Sequence, residues 1–103
     1  MERLKFPHPG EILKHDFLDE VGMSQNALAK AIGVPANRIH AIVKGERDIT
    51  GDTDLRLCKF WGHSEGMWLR LQVSYDTREA KRKIAKEIAK IKPFKYSEHR
   101  AGA

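Results

Sequence analysis

Apolar residues recur along this chain at three- and four-residue intervals, and no stretch keeps the alternation of a half-buried strand. Leu13, Phe17 and Val21 share a face at i, i+4 and i+8, flanked by Ile12 and Leu18. His-Pro-Gly-Glu at 8–11 provides a start, with Pro9 at the first helical position and Glu11 in the first turn; Gly22 provides the stop. A second helix follows the N-cap Ser24, with Met23 placed to staple onto Leu28. Ala27, Leu28, Ala31 and Ile32 make its inner face, and Gly33 closes it. Pro35 opens a third, with Ile39, Ile42 and Val43 inward and Gly45 at its end.

An ERDIT loop at 46–50 leads to a fourth helix, capped near Thr50, carrying Leu55, Leu57, Cys58, Phe60 and Trp61 and stopped at Gly62. Ser64 caps a fifth, with Met67, Trp68, Leu69, Leu71 and Val73. A sixth segment starts at Asp76, where Glu79 three positions on completes a capping-box-like pattern. It runs through Ala80, Ile84, Ile88 and Ile91 to Pro93. The expected fold is all-α: five short helices on brief connections, over residues 1–75, then a basic amphipathic helix at 76–92 and a flexible tail at 93–103.

The third helix carries the candidate chemistry. Opposite Ile39, Ile42 and Val43 stand Asn37, His40, Ala41 and Lys44 at i, i+3, i+4 and i+7, with Arg38 on one edge and Ala36 near the start. A narrow face of short polar groups, a small residue and flanking cations suits a DNA major groove. Asn can pair an adenine edge, Arg a guanine edge, and an Ala methyl can meet a thymine methyl. The Gly33-Val34 connection is so short that helices two and three must cross steeply, as a helix-turn-helix requires. Ser24 and Gln25, where the second helix begins, lie where free N–H groups can hold a phosphate. Lys44 and Arg47 are placed to grip another.

The run SQNALAKAIGVPANRI at 24–39 resembles the Xre/Cro helix-turn-helix superfamily, and more narrowly the HigA-type antitoxins, also called virulence-associated protein I. HPGEIL at 8–13, the Gly45-x-Arg47-x-Ile49-Thr50 run and Trp68-Leu69-x-Leu71-Gln72 extend the likeness over residues 7–76. The resemblance implies a five-helix lambda-repressor-like domain acting as a homodimer on a palindromic operator of double-stranded DNA. It also implies repression of the protein's own operon and neutralisation of a HigB-type toxin, a RelE-like ribosome-dependent mRNA-cleaving enzyme. His40, Ala41 and Lys44 stand where the family often has Ser, Glu and Asn, so operator preference does not carry over. Gly66 replaces the family's usual Pro or Glu and is expected to loosen the first turn of helix five. A stand-alone Xre-type phage or chromosomal repressor, or a toxin inhibitor that no longer binds DNA, are the alternatives. For the inhibitor, Asp16, Asp19 and Glu20 would face a basic partner.

Charge changes the picture only at the end of the chain. Residues 1–75 hold ten Lys/Arg and ten Asp/Glu; the net +5 comes wholly from residues 76–103. That segment, with Ile84, Ile88 and Ile91 as a narrow apolar seam, could pack on its own domain, on a second copy or on the toxin, or lie along flanking DNA phosphates. Cys58 is single and sits in an apolar run, so neither a disulfide framework nor a nucleophile is expected. His8, Glu11 and His15 fall short of a zinc ligand set, because His8 precedes Pro9 and leaves the helical register. With no phosphate-cradling glycine loop and no paired carboxylates, an enzyme is not expected, nor is a cofactor or metal. MERLKFPHPG lacks a signal-peptide core and no run approaches membrane-spanning length, so a soluble cytoplasmic protein is expected.

Overall fold

Caps and close backbone contacts set the helices of this protein more than their length does. The computed structural model describes residues 6–98, all helix, turn and loop. Helix α1 begins at Pro9–Ile12 with His8 as its N-cap, the imidazole Nδ1 accepting the Gly10 N–H at 2.9 Å. It then widens into a π-helical stretch, Leu13–Leu18, and closes as Asp19–Val21. The i→i+5 pitch carries Leu18 onto the same side as Leu13, and both are fully buried, whereas Val21 is 58% exposed. The expected face of Leu13, Phe17 and Val21 is therefore corrected. Phe17 is half-buried, packing on Trp61 and Trp68 at ring separations of 5.2 and 5.1 Å.

Helix α2, Gln25–Ile32, starts on Ser24, whose Oγ accepts the Ala27 N–H at 3.0 Å. It buries Leu28, Ala29 and Ile32, leaving Ala27 and Ala31 exposed, so the inner face is rotated from the expected one. Gly33 ends it at φ +75°, a left-handed conformation that a side chain would strain. Helix α3, Ala36–Val43, buries Ile39 and Ile42; Pro35 is its extended N-cap and not its first helical residue. Helix α4, Gly51–Trp61, turns Thr53, Asp54, Leu57 and Cys58 inward, while Leu55 and Phe60 face solvent.

Helix α5, Met67–Lys83, is not capped by Ser64. Its N-cap is Gly66 at φ +93°, and the Gly66, Trp68 and Leu69 N–H groups donate to the buried Asp54 carboxylate at 2.7, 2.9 and 3.1 Å. Gly66 thus stands before the helix as a turn residue and is clamped, where a looser first turn was expected. α5 runs unbroken through Asp76, which is no N-cap: its carboxylate accepts from the Gln72 amide at 3.0 Å, one turn back. The break comes at Ile84, where φ −117° and ψ 26° leave the helical region, and α6 spans Ala85–Ala89. A 3-10 turn, Tyr96–Glu98, lies within the stretch expected to be a loose tail; residues 99–103 of that stretch fall outside the described residues.

The core joins Leu13, Leu18, Leu28, Ile32, Ile39, Ile42, Ile49, Leu57 and Trp68. α3 packs on α2 and α1, and α5 packs on α4 and α1. Ile84, Ile88 and Ile91 take no part, being 42%, 51% and 66% exposed. The radius of gyration, 18.3 Å, exceeds the roughly 13 Å of a compact 100-residue domain because the end of α5 and α6 stands away from that core.

Candidate nucleic-acid interface

The face opposite Ile39 and Ile42 is open. Asn37 and Lys44 are exposed at its centre, with His40 and Ala41 half-buried on either side and Ala36 half-buried at the helix start. Arg38 sits about 100° round the helix from Asn37, on the flank, and only 21% of its side chain is exposed. Its guanidinium binds Asp52 at 2.8 Å. His40 reaches the other way, its Nε2 2.9 Å from Asn26 Oδ1, which ties α3 to α2 across the turn. Gln25 is half-buried and Ser24 exposed at the start of α2. Both line an open cleft of about 460 Å³ that also takes in Lys14, Asn26 and His40. Arg47 is exposed in the loop after α3. The structure thus brings Asn37, His40, Ala41 and Lys44 onto one surface with Ser24 and Gln25 beside it, and draws Arg38 aside.

A clamp holds the two helices in that attitude. Arg56 Nε donates to Asp52 at 2.7 Å, and its Nη1 donates to the carbonyls of Ile32 and Gly33 at 2.7 and 3.3 Å. One carboxylate therefore joins α3, through Arg38, to the turn between α2 and α3, through Arg56. Asn26, Asp52 and Arg56 were not singled out from the sequence. The i, i+4 spacing of Asp52 and Arg56 is legible there as an ion pair, but its reach to the turn is not. Below the stripe, α1 comes within contact of the α3 backbone at Gly10: a Cβ built there would lie 1.8 Å from Ile42 O. Behind it, Gln72 Oε1 accepts the Ile49 N–H at 2.8 Å, fixing the loop that follows α3.

The hydrogen bonds from Arg56 and then Arg38 hold the Asp52 carboxyl below the ordinary carboxylate range. A depressed folded-state value stabilises the fold above the unfolded value, and the contribution disappears as pH falls through the folded one. The thermal midpoint of Asp52→Asn should therefore trail the parent's at neutral pH, with the gap closing as the pH falls below the ordinary carboxylate range. A gap that stays constant over that range would show that the charge is not what holds the clamp. Asp19, lowered chiefly by its hydrogen bond from Lys14, steepens the acid limb of both proteins alike.

Among the described residues no helix is long and apolar enough to cross a membrane, and no group of three or more His, Cys, Asp or Glu is placed to hold a metal ion. His8 is engaged as a cap and His15 lies 3.4 Å from Asp19.

A helix-turn-helix family model matches residues 15–61. Virulence-associated protein I of Dichelobacter nodosus is 47% identical over 73 residues, 71% of this chain and 68% of that protein. Among solved structures, an addiction module antidote protein of a HigA family from Coxiella burnetii superposes with a TM-score of 0.82 at 43% identity, over 88% of this chain and all of that one. The Pseudomonas aeruginosa antitoxin HigA, solved with the higBA promoter, gives 0.83 at 36% identity, again over 88% of this chain and all of that one.

Proposed function

Because the chain belongs to the HigA and virulence-associated protein I family of helix-turn-helix proteins, we propose that it is a DNA-binding antitoxin that represses its own operon. Two copies would place their α3 helices in successive major grooves about 34 Å apart, on a palindromic operator. The observation that carries this is the solvent-facing line of Asn37 and Lys44, with His40 and Ala41 half-buried at its sides, beside the capped start of α2. Asn37 reads a base edge, His40 a second one on leaving Asn26, and Ala41 offers a methyl contact, while Ser24, Gln25, Lys44 and Arg47 meet phosphates. Arg38, bound to Asp52, can reach a guanine only by leaving that carboxylate, so its part in the free protein is to hold α3. Such a repressor works in the cytoplasm, with no cofactor and no catalytic step.

The partner neutralised is a HigB-type, RelE-like mRNA-cleaving toxin. Asp16, Asp19 and Glu20, exposed along the end of α1, suit its basic surface. A mobility shift with the chain's own upstream DNA, with and without the co-expressed toxin, tests both halves. Asn37→Ala should lose about 1–3 kcal/mol of operator binding and relax preference at one base pair. Lys44→Ala should weaken operator and random DNA alike and lower the salt slope by about 1. Equal losses on both DNAs from both variants would contradict this division of roles.

A further inference from the structure

The open face of α3 sits on a part of the chain that is electrically balanced, since all the net charge lies beyond residue 75. DNA binding draws much of its affinity from cations that displace counterions from phosphates, and the balanced domain supplies few of them. The structure shows where the missing cations are. α5 leaves the core beside the loop that ends α3. Gln72 is bonded to Ile49, and the Tyr75 ring stands edge-on to His8 at 5.0 Å. The His8 Nε2 lies in turn 3.7 Å from Asp48. Past Tyr75 the helix therefore departs from the same end of α3 at which Lys44 and Arg47 stand.

Residues 80–97 carry seven Lys/Arg and a single acid, Glu87. Arg82 is matched by Glu79 on the preceding turn. Lys81, Lys83, Lys86, Lys90 and Lys92 are exposed and make no ion pair among the described residues. Like charges held this close repel one another unless a polyanion lies against them. On α6, Lys86 and Lys90 stand two residues either side of Ile88, across the helix from it, so the lysine side is not occupied by the apolar seam. A second copy is a weaker fit. A copy seated on Ile84, Ile88 and Ile91 would leave Lys86 and Lys90, on the other side of α6, with no counter-charge. A basic toxin would be repelled.

We propose that the end of α5 together with α6 is a second DNA-binding element, running along the phosphate backbone beside the groove that α3 enters. This rests on α3 being the recognition helix. From Asp76 to Lys83 the straight part of the arm reaches about 10 Å at 1.5 Å per residue, or roughly three base pairs of duplex, and α6 continues it past the kink at Ile84.

The test is the salt dependence of binding by the full chain. Lys81, Lys83, Lys86 and Lys90 are changed together to Gln, and separately together to Arg, and each protein is titrated on its upstream operator and on a random duplex. Each phosphate contact removed should lower the slope of log K against log salt by about 0.9, so the Gln protein should lose two to four slope units. Its affinity should fall at least tenfold on both duplexes, with the operator-to-random ratio kept and the Arg protein behaving as the parent. An unchanged slope would overturn the proposal, and so would a loss confined to the operator that accompanies dissociation of the dimer in sedimentation. If the parent failed to prefer its operator yet the Gln protein still lost slope, the arm would stand and the repressor reading would fall. A parent with no salt-dependent binding would overturn both.

Discussion

Asp54→Ala is expected to lower the stability of the protein by about 3–5 kcal/mol, a large share of what a domain of this size possesses. Asp54 is 1% exposed, and its carboxylate accepts the N–H of Gly66, the residue before α5, and those of Trp68 and Leu69 in the first turn. It also accepts from Cys58 Sγ at 3.5 Å. A helix start leaves several N–H groups without intrahelical partners, and a buried negative charge there is favoured by the helix dipole as well. Alanine removes the charge and the acceptors together and leaves three donors facing a cavity. Asp54→Asn keeps one acceptor oxygen, so its loss should be roughly half as large. Urea unfolding followed by helical circular dichroism measures both. A loss below 1 kcal/mol for the alanine variant would show that solvent replaces the carboxylate, and that α5 is held by Trp68 packing alone.

Gly10→Ala should come next. Judged on helix propensity alone, alanine would gain about 1 kcal/mol over glycine. Here the added methyl would sit 1.8 Å from Ile42 O, 2.7 Å from Ile42 C and 3.0 Å from the Val43 Cα, all backbone atoms that cannot rotate away. Overpacking of that kind costs about 3 kcal/mol, so the steric term wins and the net loss is about 2 kcal/mol. The thermal midpoint should fall by roughly 10 °C. Because the clash pushes on the last turn of α3, operator affinity should drop as well, under conditions where the variant is still folded. A variant that melts with the parent would mean that α1 slides off α3 without consequence.

Local chemistry was legible in the sequence; partners supplied by distant segments were not. Ser24 capping α2, the glycine stop at Gly33 and the two-residue turn follow from rules that need only neighbouring residues, and so does the stripe on α3. The π-helical stretch has no local signature, so counting in fours from Leu13 led to Val21 and missed Leu18. Asp52 and Asp54 both look like ordinary first-turn acids of α4. One is buried under α5 and the other bridges Arg38 and Arg56, and the difference lies in what packs above them. Asp76 and Glu79 do form a capping pattern, but nothing between Tyr75 and Asp76 breaks the helix, and Gln72 holds Asp76 in register. Gly10 read as part of a helix start, when its role is to let two backbones touch.

That α5 is continuous from Met67 to Lys83 has a consequence for whatever meets its far end. A disordered tail surrenders about 1–2 kcal/mol of conformational entropy per residue when it settles on a partner. Here Trp68 and Gln72, both buried, anchor the rod at its root, so the lysines at 81 and 83 have already lost that freedom in folding. Docking there is preorganised, and the remaining entropic toll is confined to the short piece beyond the kink at Ile84.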